Sequence, residues 1–501
     1  MTTPRDNDPI LVGVGQETFR DQEPEHALEP VEMMAVAARK AEEDAETKGL
    51  LARVDSVRVV NVLSWRYSDA AGLLAEQVGA SPREKLYTTM GGNTPQWLVN
   101  ETAAAIANGE VGVALLAGAE ALDTLRRARK ADVTPSWTTP GKSPPMIGER
   151  RGGIRDVEVQ HGAALPISVY PLFENAIRVA KGLSAEEHQQ QLGELCASFA
   201  RIAGDNPYAW FRDSKSGDVI ANVSDTNRLV GSPYTKYMNA MMDVDQAAAV
   251  IMTSVGEARR LGIPESRWVY FLGGAEAADH WFVTDRVNYS TSPAIELAGR
   301  RSLELAGVTI DQIDHFDLYS CFPSAVQIGR DMLGIPEDRP LTVTGGLAYA
   351  GGPGNNYTMH AIVNMVERLR EQPGSKGLVT ALGWYITKHA VGVYGTVPSE
   401  NGWRRPDAEA DQREIDAAPH PQLAERPDGP ATIETYTVVH GRDGEPDYAI
   451  VIGRLEDGDR FIANTAQDRS LLETMVETEM IGVAGKVRHD DASEKNVFAL
   501  S

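Results

Sequence analysis

The spacing of hydrophobic and polar positions along this chain switches repeatedly between the strand and helix periods. Ile10-Leu-Val-Gly-Val is a short apolar run of the kind a buried strand shows. From Pro30 to Ala45 the apolar positions Met33, Met34, Ala37, Ala38 and Ala41 recur at helical spacing, and Pro30 suits the first turn. Residues 57–63 predict a strand, 69–78 a helix and 85–90 a strand. Gly91-Gly92-Asn93-Thr94-Pro95 follows. Thr94 suits an N-cap, Pro95 suits the first helical position, and Asn108-Gly109 ends the helix. Residues 111–117 predict a buried strand.

The same order returns later: a helix over 293–305, a strand over 315–319, a helix over 323–333, a strand over 341–344 running into Gly345-Gly346, a helix over 360–369 and a strand over 377–381. Met90-Gly91-Gly92-Asn93 therefore has a counterpart in Thr344-Gly345-Gly346-Leu347. Alternating strands and helices predict an α/β class with a duplicated architecture. Residues 121–240 break the pattern and are too long for a loop, which predicts an inserted lobe. The core resumes at Val244-Asp245-Gln246. Residues 398–430 are polar, acidic and Pro-rich, as in a linker. Beyond them, 432–439, 448–453, 460–463 and 480–487 read as strands separated by turns, which predicts a small all-β barrel. The expected division is 1–120 with 241–262 as one half, 121–240 as the inserted domain, 263–397 as the second half, 398–430 as linker and 431–501 as barrel.

Composition narrows the function. The 501 residues suit about three or four domains. The net charge of −23 argues against a nucleic-acid partner, which calls for a basic footprint. Two cysteines, Cys196 and Cys321, exclude a disulfide framework and a Cys-rich zinc site. No His/Asp/Glu cluster has metal spacing. The polar start is unlike a secretory signal, and the apolar stretch 111–119 is far short of the ~20 residues of a membrane span. A cytoplasmic protein without a membrane span is expected.

Two duplicated halves, an inserted lobe and two Gly-Gly turns resemble the thiolase superfamily. Residues 107–120 (Ala-Asn-Gly-Glu-Val-Gly-Val-Ala-Leu-Leu-Ala-Gly-Ala-Glu) are similar to the thiolase strand after the nucleophile helix. Val244-Asp-Gln-Ala-Ala-Ala-Val is similar to the return from the thiolase loop domain. Gly345-Gly346-Leu-Ala-Tyr-Ala-Gly351-Gly352-Pro353-Gly is similar to the run that normally contains Gly-His-Pro. The likeness covers about residues 8–397 and points to the sterol-carrier-protein type or the actinobacterial thiolase-like proteins. Residues 431–501, with Tyr-Thr-Val-Val-His, resemble the OB-type domain of small partner proteins of some thiolase-like enzymes. The resemblance implies a duplicated five-layered fold with an OB-like barrel, and acetyl-CoA acetyltransferase ancestry in lipid or sterol metabolism. It also implies acyl-CoA or CoA as substrate or ligand, with no tightly bound cofactor. Thiolases usually dimerise through the strand that is here 85–90, so a homodimer is possible and a monomer stays open.

Thiolase chemistry uses two cysteines and a histidine. Carried onto this chain, the nucleophile falls at Gly92, the histidine at Gly352 and the second cysteine near Ala381 or Leu382. All three are missing, so thiolysis through an acyl-cysteine is not expected. Leu318-Tyr319-Ser320-Cys321-Phe322 is similar to the Leu-Tyr-x-Cys-Phe of thiolase-like aldolases, whose tyrosine acts in proton transfer. Retro-aldol cleavage needs an acid/base and an oxyanion donor, not a nucleophile. Tyr319, His360 and His389 are the acid/base candidates. Gly91, Gly92, Asn93, Gly351 and Gly352 offer backbone N–H groups at helix starts. Asn356 and Cys321 complete the candidate ligand contacts, and Arg126, Arg127 and Arg129 are candidates for coenzyme A phosphates. A non-catalytic CoA or acyl-CoA binder is the alternative to a retro-aldol lyase on β-hydroxyacyl-CoA.

Overall fold

The computed structural model describes residues 3–501. Strands Val113–Ala121 and Asp245–Ser254 are buried along almost every residue, as strands covered on both faces must be. They pair antiparallel from Val113–Thr253 to Ala121–Asp245. Around them nine strands form one sheet in the order Glu84–Tyr87, Ser56–Val59, Val113–Ala121, Asp245–Ser254, Pro9–Thr18, Val269–Ala278, Lys388–Gly395, Lys376–Gly383, His315–Asp317. The first five are one half and the last four the other. The halves join edge to edge through Ile10–Tyr270 and Leu11–Val269.

Numbered within each half, both follow the order third, second, fourth, fifth, first. The second half lacks the third strand, the one expected over 341–344. Those residues form no strand because the buried Asp317 carboxylate captures them. It accepts the Thr342 hydroxyl at 2.9 Å and the backbone N–H groups of Val343 and Thr344 at 3.0 and 3.1 Å. Burial raises the Asp317 carboxyl to about 6.

Helices Thr94–Ala107 and Tyr357–Glu371 are buried on most sides, as a central layer requires. Each packs on strands of both halves and on the other. Helices Pro30–Asp44 and Pro293–Ala306 cover the outer faces. The result is the five-layered, duplicated thiolase fold.

Thr94 lies one residue inside its helix, and Asn93 is the N-cap. The edge strand Glu84–Tyr87 is continued on its outer side by the inserted lobe. Ile147 donates its N–H to Tyr87 O, and Thr89 N–H bonds Ile147 O, both at 2.9 Å.

The C-terminal barrel has five strands: Asp428–His440, Pro446–Leu455, Arg460–Asn464, Ala484–Asp490 and Lys495–Leu500. They close in the order first, second, third, fifth, fourth, first, with helix Arg469–Glu477 between the third and fourth. This is an OB-like barrel. Its helix and fifth strand were absent from the expected elements. Strands Leu229–Gly231 and Tyr234–Thr235 of the inserted lobe extend the barrel's sheet, with Gly231 opposite Val439. Arg460, wholly buried, pairs with Glu434 and donates to the carbonyls of Thr284 and Arg286 in the second half.

The segment expected as a linker is structured. It holds helix Ala408–Asp416, and the barrel's first strand starts inside it at Asp428. Gln412 receives the N–H of Ala278 and donates to the same residue's carbonyl, both at 2.8 Å. The segment is thus a strap fixed to the second half.

Candidate functional site

The Gly-Gly turn joins the edge strand to the first central helix. Gly91 holds φ +149°, a backbone conformation that side chains disfavour. Its N–H is donated to Asn355 Oδ1 at 2.9 Å, so it is not free to bind a ligand. Its carbonyl accepts Thr94 Oγ1 at 2.8 Å, and Thr358 Oγ1 donates to Gly92 O at 3.3 Å. A β-carbon on Gly92 would lie 2.1 Å from Tyr319 Oη and 2.6 Å from Leu382 O. The hydroxyl of Tyr319 therefore occupies the space of a side chain at position 92.

Tyr319 is placed just past strand His315–Asp317. Its N–H is donated to Thr380 Oγ1 at 2.9 Å, and its ring meets Tyr357 edge to face at 5.8 Å. Burial, with a smaller contribution from the Cys321 thiol, pushes its hydroxyl far above the usual range. It stays protonated. Burial likewise pushes Cys321 up to about 12, against a contact from Tyr170, whose ring stacks on Phe322 at 4.4 Å. That thiol is a packed group rather than a nucleophile.

The remaining candidates separate. His360 Nδ1 bonds Gln16 Oε1 at 2.9 Å, and burial pulls the imidazole down to about 3. Gln16 donates its own amide N–H to Asn364, so its oxygen is the acceptor and His360 Nδ1 carries the proton. With so low a pKa, His360 is a poor proton acceptor. His389 Nε2 lies 3.2 Å from Ser292 Oγ and 3.7 Å from Asp279 Oδ2. Burial works against the Asp279 carboxylate, but His389, Arg286 and Ser292 outweigh it and hold the carboxyl low.

Asn356 spends one of its two amide N–H groups on Gly118 O at 2.8 Å. Gly352 donates its N–H to Met241 O at 2.8 Å, and Gly351 presses against Gln246. That turn offers less than the exposed N–H pair expected. Arg126 pairs with Asp123 and Asp243, and Arg127 with Asp123 and Asp245. Their charges are met by neighbouring carboxylates, not left for phosphate, and Arg129 is exposed on the same helix. The structure thus brings together Gly91, Gly92, Asn93 and Tyr319, with Cys321 two residues on.

One residue was missed. Lys388 Nζ donates to Met90 O at 2.7 Å, beside the Gly-Gly turn. Burial lowers its amine to about 8, with Glu149 opposing. The signal was a cation entering an otherwise apolar strand. The turn before it contains Trp384 at φ +59° and Ile386 at φ +56°, rare for bulky and β-branched residues. Tyr170 holds this turn through Trp384 O, and Arg286 holds it through the carbonyls of Tyr385 and Ile386. Lys388, His389 and Asn93 border a cavity of about 470 Å³ under the strap. Among the described residues no group of three or more His, Cys, Asp or Glu is arranged to hold a metal, and no helix is long and apolar enough to cross a membrane.

Comparison with known proteins agrees with this architecture. Residues 411–492 match the thiolase-like protein type 1 additional C-terminal domain. A crystal structure of a monomeric SCP2-thiolase like protein type 1 from Mycobacterium smegmatis is 32% identical, covers both chains completely and superposes with a TM-score of 0.86. The Ltp2-ChsH2(DUF35) aldolase shares the fold at 17% identity and TM-score 0.60, over 79% of this chain and 99% of that one. Acetyl-CoA acetyltransferase from Syntrophomonas wolfei shares it at 14% identity and TM-score 0.57, over 78% of this chain and 100% of that one. A curated acetyl-CoA acetyltransferase from Syntrophomonas wolfei subsp. wolfei (strain DSM 2245B / Goettingen) is 29% identical over 138 residues, 27% of this chain and 32% of that protein. Fold and site together define a thiolase-like protein with a Gly-Gly turn, Gly91-Gly92, ahead of its first central helix. The chain belongs to the SCP2-thiolase-like protein type 1 family, which carries the additional C-terminal domain.

Proposed function

We propose that this protein takes acyl-CoA thioesters and makes or breaks a carbon–carbon bond in them without forming an acyl-cysteine. Tyr319 is the hydrogen-bond donor to the thioester oxygen in this reading. The observation that supports it is the Tyr319 hydroxyl standing in the side-chain space of Gly92. A hydroxyl kept protonated by burial delivers a hydrogen bond to a thioester oxygen as enolate charge develops, which is what retro-aldol cleavage of a β-hydroxyacyl-CoA requires. His389, held by Ser292 and Asp279, borders the cavity under the strap rather than the Tyr319 hydroxyl, so Tyr319 is the group this reading rests on. The chain acts in this reading as a monomer in the cytoplasm.

The test is turnover by the purified protein. Acetoacetyl-CoA with CoA should yield no thiolysis, and a β-hydroxyacyl-CoA should be split to an acyl-CoA and a carbonyl product. A Tyr319→Phe variant should lose that cleavage; undiminished activity removes Tyr319 from the chemistry. The second reading, a CoA or acyl-CoA binder without turnover, is favoured by the packing of Tyr319, which is only 7% exposed. Binding with no cleavage of either substrate would select it.

A further inference from the structure

The cavity under the strap is a second chemical environment, bordered by Asn93 and Lys388 but not by Tyr319 or Gly92. Lys388 enters it through space that two glycines leave open. A β-carbon on Gly91 would lie 2.7 Å from Nζ, and one on Gly383 would lie 2.9 Å from Cε. The amine has a backbone carbonyl, Met90 O, as its hydrogen-bond acceptor, and among the described residues no carboxylate lies within 4.0 Å of it.

The cavity's acids are engaged elsewhere. Asp285 is bound by both nitrogens of Arg155, and Asp279 by Ser292 and the Ala294 N–H. Glu276 accepts from Asn100, Asp416 from Gln412, and Glu149 from the Arg151 N–H. Arg151 and the imidazoles of His280, His389 and His420 complete the charged or titratable groups around it. Trp97, Trp281 and Phe282 supply apolar wall. Asn93, 8% exposed, turns an unpartnered buried Oδ1 toward the same glycines that Lys388 fills.

We propose that Lys388 is a nucleophilic amine, and that this cavity admits a small aldehyde or ketone and holds it as an imine. The reaction is balanced without any further reagent. The neutral Nζ adds its lone pair to the carbonyl carbon while the carbonyl π pair moves to oxygen. The nitrogen gives up a proton and the oxygen takes one, which forms a carbinolamine. The hydroxyl then leaves as water with a second proton, and a C=N bond takes the place of C=O. Asn93 Oδ1 is the acceptor for the carbinolamine hydroxyl. An amine desolvated to a pKa of about 8 is neutral in a useful fraction near neutrality, which an ordinary surface lysine is not. This goes beyond the thioester reading, since it requires neither coenzyme A nor Tyr319.

The test is borohydride trapping. The full-length protein is incubated with acetoacetate or propionaldehyde at pH 8, reduced with sodium borohydride and mapped by peptide mass. One reduced adduct on the Lys388 peptide is expected, absent in Lys388→Arg. Since that variant replaces a buried group, the wild-type protein supplies an independent readout. Its Lys388 should react with pyridoxal with a midpoint near pH 8, more than one unit below its surface lysines. No adduct at Lys388, or labelling there no faster than at surface lysines, overturns the proposal. Neither outcome bears on cleavage of a β-hydroxyacyl-CoA, so the two readings fail separately.

Discussion

Tyr319 Oη sits 2.1 Å from where a β-carbon on Gly92 would be, so the tyrosine and any side chain at that position exclude each other. The resemblance to thiolases puts the acylated cysteine of those enzymes at this position. Here its volume is filled from the second half, and the turn holds its shape around a hydroxyl from the segment just past strand His315–Asp317.

This exclusion is measurable. Gly92→Ala should destabilise by about 1–3 kcal/mol through overpacking. In a Tyr319→Ala background the same change should cost much less, giving a coupling above about 0.5 kcal/mol in a urea-denaturation cycle. Equal costs in both backgrounds would show that the two residues do not share the space.

Both cysteines should be inert in the folded state. Burial lifts Cys196 and Cys321 to about 12, so about one thiol in ten thousand is ionised at pH 8. Iodoacetamide at that pH should label neither in the native protein and both in denaturant, as read by intact mass. Rapid native labelling of Cys321 would return it to the list of nucleophiles.

The buried His360 ties stability to acid. Its imidazole titrates at about 3 when folded and at 6.5 when unfolded. The unfolded chain therefore binds the extra proton, and the contribution is complete above pH 6.5 and lost as pH falls toward 3. Well below 6.5 the slope approaches about 1.4 kcal/mol per pH unit. A His360→Gln variant should flatten unfolding free energies measured between pH 7 and 5; an unchanged slope counts against this assignment.

Gln412 clamps the strap by completing both backbone hydrogen bonds of Ala278. Gln412→Ala removes two bonds worth about 0.5–1.5 kcal/mol each. Trypsin should then cut at Arg404 or Arg413 several-fold faster, with the barrel and core still folded. Cleavage at the wild-type rate would mean that the pairs Arg301–Asp411 and Arg405–Glu101 hold the strap alone.

What the sequence displayed was local chemistry. Helices Pro293–Ala306 and Pro323–Leu333 could be placed because proline opens each and Gly307 or Gly334 closes it in the left-handed conformation. The loss of a strand at 341–344 could not, because its cause is Asp317, 25 residues earlier in the chain. Arg126 and Arg127 looked free until Asp123, Asp243 and Asp245 were seen beside them. The expectation that Gly92 stands where thiolases carry a nucleophile comes from the resemblance, through the Asn108-Gly109 stop of the following helix. That Tyr319 fills the side-chain space there depends on a contact between the two halves, by residues far apart in sequence. Beyond its place at the start of an apolar strand, nothing in the local sequence marks Lys388, because only its depth distinguishes it from a surface lysine.

The two short lobe strands in the barrel's sheet also impose a timetable on synthesis. Ser232 and His440, hydrogen-bonded at 2.8 Å, are 208 residues apart. At about 5–20 residues per second, the ribosome delivers the second roughly 10–40 s after the first. Through that interval the lobe strands lack their barrel partner, and only Asn175 of the same lobe reaches the Ser232 carbonyl. Expression at reduced temperature lengthens this exposed interval, so yield in the cell depends on what shields residues 229–235 until the C-terminus emerges.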